Sequence, residues 1–249
     1  MEAPKSDRDR AKYAAALKAV EVYVRDGMKV GLGSGTTSHW FVRALGERVH
    51  SGLSVAGVPT STPTRDLALE CRIPLVDLND VDQIDLTIDG ADEIDPRGDM
   101  IKGGGASLLR EKIVAYASKR MVVVLDESKR VDVLGAFPLP VEVIPFGWKQ
   151  TRQRLIRVFA DMGYGSPSID LRGGASRPIV TDSGNHILDC RLERIDDAPR
   201  LAPQLSDIPG VVEHGLFIGI ADEMVVGHAD GSTEIVPFHR NRRGGGSQP

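Results

Sequence analysis

The sequence has few cysteines, no long apolar run and no large excess of charge of either sign. Cys71 and Cys190 are its only cysteines, and their isolation argues against both a disulfide framework and a cysteine-based zinc site. No stretch approaches the roughly 18 apolar residues of a membrane span, and the polar first residues lack the apolar core of a signal peptide. We therefore expect a cytoplasmic protein that does not contact a membrane.

The net charge is −4, and basic residues cluster only in the tail, at Arg240, Arg242 and Arg243. Nucleic acid is therefore not expected as a partner. A small anionic ligand remains possible, because a phosphate group needs only a local nest of N–H groups and one or two cations. The polar, glycine-rich residues 241–249 are expected to be disordered.

Short apolar runs alternate with helix-like segments in the first half of the chain. Apolar spacing predicts a helix over 10–25, and a strand at Lys29–Leu32 leads through a glycine-rich turn into a second helix. Further strands are predicted at 54–58, 75–77, 86–88 and 121–125, with helices over 63–71 and 106–119. This alternation predicts an α/β fold with a Rossmann-like, doubly wound parallel sheet.

The character of the sequence changes at Phe137, where prolines bracket a Val-Glu-Val-Ile strand. A basic helix is predicted over 147–162. Strands are predicted near 168–171, 178–181 and 186–191, followed by a helix and a strand over 211–217. The order β-α-β-β-α-β predicts a smaller, ferredoxin-like α+β domain.

The 249 residues are enough for two unequal domains. We expect the ferredoxin-like domain to cover 137–217 and to serve in oligomerisation. It is inserted into a Rossmann-like catalytic domain made of 1–136 and 218–249. Strands at 223–226 and 232–236 are expected to return to the catalytic domain as edge strands.

The glycine-rich turn over 31–37 lies between a strand and a helix N-terminus, where free N–H groups and the helix dipole favour an anion. It is not a dinucleotide fingerprint, because the third glycine would have to stand at Thr36 and the second strand ends without an acidic residue. It is not a P-loop either, because no Gly-Lys-Ser/Thr follows. A tight structural turn with hydroxyl N-caps is the alternative interpretation.

Carboxylates and glycines follow later strands. Asp89-Gly90-Ala91-Asp92-Glu93 comes directly after the strand at 86–88, where carboxylates can move protons or hold a metal, although Asp-Gly is also ordinary turn chemistry. The three glycines at 103–105 let the backbone approach a ligand, and Lys102 places a positive charge beside it. A flexible hairpin is the alternative interpretation of this segment.

Glu111 lies on the helix that follows the glycines. The apolar spacing predicts that Leu109 and Ile113 of this helix face the core. A glutamate in such a helix is usually solvated, so its position alone does not indicate catalysis.

Four segments, taken in order, closely resemble the ribose-5-phosphate isomerase A family: Gly-Ser-Gly-Thr-Thr, Asp-Gly-Ala-Asp-Glu, Lys-Gly-Gly-Gly-Ala-x-Leu-x-Arg-Glu-Lys, and Leu-Asp-Glu-Ser-Lys with the later Phe-Pro-Leu-Pro-Val-Glu-Val-Ile-Pro. The resemblance runs from about Ala14 to Pro237. It implies interconversion of D-ribose 5-phosphate and D-ribulose 5-phosphate through a cis-enediolate, in the non-oxidative branch of the pentose phosphate pathway. It also implies a homodimer or homotetramer that uses no metal and no other cofactor.

The resemblance assigns roles to individual residues. Glu111 matches the base that carries a proton between C1 and C2, Asp89 and Asp92 match the acidic pair that handles ring and hydroxyl protons, and Lys102 matches the cation that stabilises the enediolate oxygen. The implied substrate-binding residues are Ser34, Gly35, Thr36, Thr37, Asp89, Gly90, Ala91, Asp92, Lys102, Gly103, Gly104, Gly105 and Lys129. The family turn commonly reads Gly-Thr-Gly-Ser-Thr, so Ser34 and Thr36 exchange the two hydroxyl types here. A lysine of the first helix can reach phosphate in the family, and Lys12 lies near that place in a register that the sequence does not determine.

Two other classes of function fit parts of the sequence. Sugar-phosphate-sensing effector domains share a similar fold and turn, but they would need a DNA-binding domain, for which the segment before the first helix is too short. A nicotinamide-dependent oxidoreductase would need the dinucleotide fingerprint that is missing here. The histidines at His186, His214, His228 and His239 lack metal-ligand spacing, so no metal site is expected.

Overall fold

The computed structural model describes residues 4–238. The predicted disorder of 241–249, the basic residues of the tail and His239 lie outside this range. The helices are α1 (Asp7–Tyr23), α2 (Thr36–His50), α3 (Thr62–Glu70), α4 (Leu108–Tyr116), α5 (Trp148–Asp161) and α6 (Ala198–Ser206). The strands are β1 (Lys29–Leu32), β2 (Ala56–Pro59), β3 (Leu86–Asp89), β4 (Glu93–Ile94), β5 (Met100–Ile101), β6 (Met121–Asp126), β7 (Leu139–Val143), β8 (Ile169–Leu171), β9 (His186–Cys190), β10 (Val211–His214), β11 (Leu216–Phe217), β12 (Glu223–Gly227) and β13 (Thr233–Pro237).

A six-stranded sheet in the order β13-β12-β6-β3-β1-β2 forms the centre of the fold. All of its strand pairs are parallel except β12 with β13. Alternate residues of β6 enter two different cores, with Val122 and Val124 on one face and Val123 and Leu125 on the other. Because both faces are covered, β6 is apolar throughout, as expected for a parallel sheet. The predicted α/β, doubly wound class is therefore confirmed.

The strand order places a topological switch point between β1 and β3. From β1 the chain proceeds outward to β2, whereas β3 and β6 extend the sheet in the other direction. Ligands of open α/β sheets bind beyond the carboxyl ends of the strands at such a point. The glycine-rich turn after β1 and the acidic turn after β3 both leave the sheet there.

Helix α1 packs closely against the sheet at Gly227. Its buried face is rich in alanine, including Ala11, Ala15, Ala16 and Ala19. A Cβ atom at Gly227 of β12 would lie only 1.8 Å from the carbonyl oxygen of Ala11, so only glycine permits this approach. The close packing holds the N-terminal half of α1 over the carboxyl end of the sheet.

A separate four-stranded sheet has the order β10-β7-β9-β8, and every neighbouring pair is antiparallel. Numbered within the β-α-β-β-α-β unit, this is the order four-one-three-two, so the predicted ferredoxin-like arrangement is present. Leu155 and Phe159 of α5 and Leu201 and Leu205 of α6 share one core with its strands. The predicted strand at 178–181 is wrong, because this segment is a loop that exposes its apolar side chains.

Three further predictions of strands need correction. Residues 75–77 form no strand, and Leu75 makes only an isolated bridge to Gly57. Strand β12 is not an edge strand, because it lies between β6 and β13. The predicted strand over 211–217 divides at Gly215 into β10, which joins the four-stranded sheet, and β11, which pairs with β5 in a three-stranded sheet. Apolar character alone did not reveal which sheet each part would join.

Candidate active site

The carboxyl ends of β1, β3 and β6 surround one polar cavity of about 130 Å³. The cavity collects segments that are far apart in the sequence. The predicted residues that line it are Ser34, Gly35, Thr36, Thr37, Gly90, Ala91, Asp92, Lys102, Gly103, Gly104, Gly105, Glu111 and Lys129. Asp89 is fully buried beside the cavity rather than lining it. Arg8 and Lys12, which are absent from the set of predicted residues, also line it.

A buried lysine bridges two buried carboxylates at this site. Lys102 Nζ lies 2.9 Å from Asp89 Oδ2 and 3.3 Å from Glu111 Oε2, and it donates a hydrogen bond of 2.6 Å to the carbonyl oxygen of Gly90. Burial by itself lowers the pKa of Lys102, but the charges of Asp89 and Glu111 outweigh burial and raise it. Lys102 is therefore a fixed ammonium in a water-poor site.

Burial has the opposite effect on the carboxyl group of Glu111. It raises the pKa of Glu111 to about 7, with Lys102 opposing the shift and Asp89 adding to it. A carboxylate whose pKa lies near neutrality is well suited to both accept and return a proton. Glu111 also lines the cavity, so this carboxyl group is placed to exchange a proton with a ligand there.

The buried face of α4 differs from the prediction. Ile113 is 48% exposed and Leu109 is half-buried, whereas Leu108, Glu111 and Ala115 are buried. The predicted core face was wrong because six of the nine residues of α4 are apolar or aromatic, so more than one stripe could face the core, and packing against the sheet selected a different one. Only the resemblance to a family, and no periodic signal, indicated that the glutamate points inward.

Asp89 is held rigidly by the turn after β1. Its Oδ1 accepts hydrogen bonds from the Ser34 amide at 3.0 Å, from Ser38 Oγ at 3.0 Å and from the Gly90 amide at 2.7 Å. These three donors fix the carboxylate plane and leave Oδ2 to face Lys102. The glycine-rich turn thus positions the lysine indirectly, through Asp89.

Ser34 presents lone pairs rather than a proton to the cavity. Thr60 Oγ1 donates to the carbonyl oxygen of Leu32 at 3.0 Å, so at its 2.7 Å contact with Ser34 Oγ it must accept. The proton of Ser34 is therefore used inside the protein. The outward side of Ser34 Oγ can only accept a hydrogen bond, as from a ligand hydroxyl.

The opposite end of the cavity has the features that favour an anion. Helix α2 begins there with Gly35 as its N-cap, no side chain caps it, and its first turn carries no acidic residue. The interpretation of the turn as hydroxyl N-caps is therefore wrong, and the free amides are available to an anion. Lys12 Nζ donates to Thr36 Oγ1 at 2.9 Å, and Arg8 and Lys129 line the same end. Burial lowers the pKa of Lys12, and the nearby Asp126 opposes this shift.

The three glycines form a narrow wall of the cavity. Gly103 has φ = 109°, in the region that favours glycine. The Gly104 amide donates to Asp92 Oδ2 at 2.7 Å, which fixes the second acidic side chain at the cavity. Asp92 is therefore positioned by the glycine segment, as Asp89 is by the first turn.

No helix within residues 4–238 combines the length and the apolar character needed to cross a bilayer. The same residues contain no group of three or more His, Cys, Asp or Glu side chains arranged to hold a metal ion.

The chain matches known proteins over most of its length. The family model described as ribose 5-phosphate isomerase A (phosphoriboisomerase A) matches residues 56–231. A ribose-5-phosphate isomerase A from Rhodopseudomonas palustris (strain BisB5) is 56% identical over 226 residues, which cover 90% of this chain and 97% of the relative. The structure of ribose 5-phosphate isomerase A from Methanocaldococcus jannaschii superposes with a TM-score of 0.81 at 41% identity, covering 91% of this chain and 97% of that one.

A third relative carries a ligand. This D-ribose-5-phosphate isomerase, solved in complex with phospho-erythronic acid, superposes with a TM-score of 0.85 at 39% identity, covering 92% of this chain and 99% of that one. The fold and the comparisons define an enzyme of the aldose–ketose isomerase class whose substrate is a sugar phosphate. The chain belongs to the ribose-5-phosphate isomerase A family and interconverts ribose 5-phosphate and ribulose 5-phosphate.

Proposed function

We propose that Glu111 carries a proton between C2 and C1 of the open-chain sugar phosphate through a cis-enediolate. From ribose 5-phosphate, Glu111 takes the C2 proton, and the electron pair of that bond forms the C1–C2 double bond while negative charge moves to O1. The O2 proton is then transferred to O1, the electron pair left on O2 forms the C2 carbonyl, and the electrons of the C1–C2 double bond take the proton back from Glu111 at C1, which gives the ketose. The observation that carries this proposal is Lys102 Nζ within 3.3 Å of both Asp89 and Glu111 in a buried site.

Lys102 supplies the stabilisation of the intermediate. An oxyanion in a water-poor site gains far more from a fixed ammonium than it would in water. Asp92, which the Gly104 amide holds at the cavity, moves the hydroxyl protons of the sugar, and Asp89, buried beside the cavity, holds Lys102 in place. Ser34 accepts a hydrogen bond from a sugar hydroxyl, since its own proton is directed to Thr60.

The phosphate group is bound at the cationic end, by the first amides of α2 with Lys12, Lys129 and Arg8. Thr36 and Thr37 add hydroxyl donors there. The related isomerase that binds phospho-erythronic acid supports this arrangement, because that ligand joins a phosphate to a planar carboxylate. The two carboxylate oxygens resemble the oxygens of an enediolate, so such a ligand would place its carboxylate beside Lys102.

We also propose that residues 137–217 form a separate domain between 1–136 and 218–249, and that it serves in assembly of a cytoplasmic homodimer or homotetramer. The segment has its own antiparallel sheet and its own apolar core. Phe146, between β7 and α5, is 88% exposed, and the neighbouring Ile144 is also exposed. Large exposed apolar side chains of this kind are typical of surfaces that a second subunit covers.

The proton-transfer mechanism can be tested by running the reaction in D2O with EDTA present. We expect full turnover, with deuterium appearing at C1 of ribulose 5-phosphate, because a proton held on Glu111 exchanges with solvent before it returns. Quenched reactions analysed by NMR give the site of label. Turnover with no solvent label at C1 after repeated cycles would contradict the enediolate and favour a hydride shift, and loss of turnover in EDTA would contradict metal independence.

The pKa of Glu111 predicts how turnover depends on pH. The base acts as a carboxylate, and kcat/KM reports the groups of the free enzyme, so kcat/KM should fall about tenfold per pH unit below about 7 and level off above it. Titration of the free substrate phosphate, followed separately by NMR, allows its own protonation to be removed from the profile. A corrected kcat/KM that is constant from pH 5 to pH 9 would show that a group other than Glu111 is the base.

A further inference from the structure

Arg172, directly after β8 in the four-stranded sheet, contacts the triglycine segment of the active site. Its Nε and Nη2 atoms bind the two carboxylate oxygens of Asp189 on β9, at 2.9 and 2.5 Å. Its Nη1 atom donates to the carbonyl oxygens of Gly103 at 2.8 Å and Gly104 at 3.1 Å. All three guanidinium nitrogens therefore form hydrogen bonds. Nε and Nη2 bind Asp189 within the four-stranded sheet, and Nη1 binds the two glycine carbonyl groups at the active site.

These two carbonyl contacts also orient amides. In a trans peptide the C=O and N–H groups point in opposite directions. Holding the Gly103 carbonyl towards Arg172 therefore turns the Gly104 amide away from it, and that amide donates to Asp92 Oδ2 at 2.7 Å. Holding the Gly104 carbonyl in the same way turns the Gly105 amide away from Arg172, on a residue that lines the cavity.

The triglycine segment needs such a restraint. Glycine has more conformational freedom than any other residue, so three in a row do not hold one set of peptide orientations by themselves. Gly104 and Gly105 are exposed at the cavity, and as glycines they have no side chain that could anchor them by packing against the core. An arginine already bound in a bidentate pair can supply the restraint, because its planar fork is rigid and its hydrogen bonds are charge-assisted.

We propose that Arg172 is a positioning residue for the isomerase reaction. With Asp189 it forms a clamp from the small sheet that fixes the Gly103 and Gly104 peptides, and so holds Asp92 and the Gly105 amide for the substrate. The inference rests on the proposed function of the cavity. It adds to that function a residue that lies outside the cavity and touches neither substrate nor base.

The first test is Arg172→Lys, which keeps the charge but cannot bind Asp189 and two carbonyl groups at once. We expect kcat/KM for ribose 5-phosphate to fall by on the order of 10- to 100-fold, because small displacements of positioned groups are costly in rate. The acidic limb of the pH profile should stay in place, because Arg172 acts on the glycines rather than on Glu111. The matched control is Arg191→Lys, in an exposed pair with Asp170 near the same sheet, which should keep wild-type kinetics.

Chemical rescue separates positioning from a general structural role. Added guanidinium salt at millimolar concentration should restore part of the kcat/KM of Arg172→Ala, because the free cation can occupy the vacated place between Asp189 and the carbonyls. It should have no such effect on Arg191→Ala. Should the Arg172 variants fold poorly, Asp189→Asn tests the same clamp, because it removes the carboxylate that orients the guanidinium.

Two outcomes would overturn the clamp. One is wild-type kinetics in well-folded Arg172→Lys or Asp189→Asn, and the other is a loss of activity that follows the loss of folded protein and is not rescued by guanidinium. Glu111→Gln, assayed alongside, separates this inference from the proposed function. If that variant is inactive while Arg172→Lys has wild-type kinetics, only the clamp fails. If it is fully active, the proposed role of the cavity fails instead.

Discussion

Replacing Glu111 with glutamine is expected to lower kcat by about a thousandfold while leaving the fold intact. Glutamine keeps the shape of the side chain but cannot accept the C2 proton, and a positioned general base typically contributes 100- to 10,000-fold (about three orders of magnitude). The measurement is kcat for ribose 5-phosphate, with circular dichroism to verify folding. Glu70→Gln, at the exposed end of α3, is the matched control and should keep full activity.

The same substitution is expected to stabilise the protein at alkaline pH. The folded-state pKa of Glu111 is raised from its ordinary value of 4.5 to about 7, so the folded state binds this proton more tightly than the unfolded chain does. The stability associated with that proton is fully present below pH 4.5 and is lost as the pH rises through 7. Glutamine carries no charge at any pH, and Asp89 still pairs with Lys102.

Thermal unfolding of both proteins checks this sign. The Tm of Glu111→Gln should exceed that of the wild type at pH 8, and the difference should shrink towards pH 5. Glu70→Gln should show no such pH-dependent gain. If the inactive variant were less stable than the wild type at pH 8, Glu111 would stabilise the folded state at that pH. That result would contradict the prediction that its buried charge destabilises the protein.

Replacing Lys102 with methionine is expected to damage both activity and stability. Loss of a fixed charge that stabilises an oxyanion typically costs on the order of 100- to 1,000-fold in turnover. Methionine fills a similar volume but leaves Asp89 and Glu111 buried beside each other without a cation. Removing one partner of a buried ion pair typically costs about 3–5 kcal/mol of unfolding free energy.

The measurements are kcat, urea unfolding and the pH profile of the residual activity. The acidic limb of that profile should move to higher pH, because Lys102 opposes the rise in the pKa of Glu111. Lys18→Met, which removes a lysine paired with Glu21 at the surface of α1, is the control and should change none of the three. A Lys102→Met protein with reduced stability but wild-type turnover would identify Lys102 as a structural lysine.

The two substitutions are informative as a pair because their effects on stability have opposite signs. At pH 8 Glu111→Gln removes a buried negative charge that destabilises the folded state. Lys102→Met instead removes the cation that stabilises the buried carboxylates. Both lower turnover. A change that merely disturbed packing at this site would lower stability in both cases, so the contrast distinguishes chemistry from packing.

Much of the fold could be predicted from local patterns. Strand β1 was predicted at its observed bounds, and the runs that became β3 and β6 are short and apolar because both faces of the sheet are covered. The failures have a common cause. Leu75 and Val180 lie in apolar stretches that resemble strands, but a strand also needs a continuous ladder of backbone hydrogen bonds. Leu75 makes only an isolated bridge to Gly57, and the segment around Val180 makes only single backbone hydrogen bonds, from Ile179 to Arg172 and from Thr181 to Asn185.

The sequence by itself determined where the glycine-rich turns and acidic segments follow strands, and so which residue types could meet at the carboxyl edge of a parallel sheet. Tertiary structure alone decided that Glu111 is buried, that Lys102 lies between it and Asp89, and that Arg8, Lys12 and Arg172 reach the same cavity or its wall. The physical reason is the distance along the chain over which each effect acts. Periodicity and turn chemistry act over a few residues, whereas a residue's partners across the fold depend on strand order and on which face of each helix is packed.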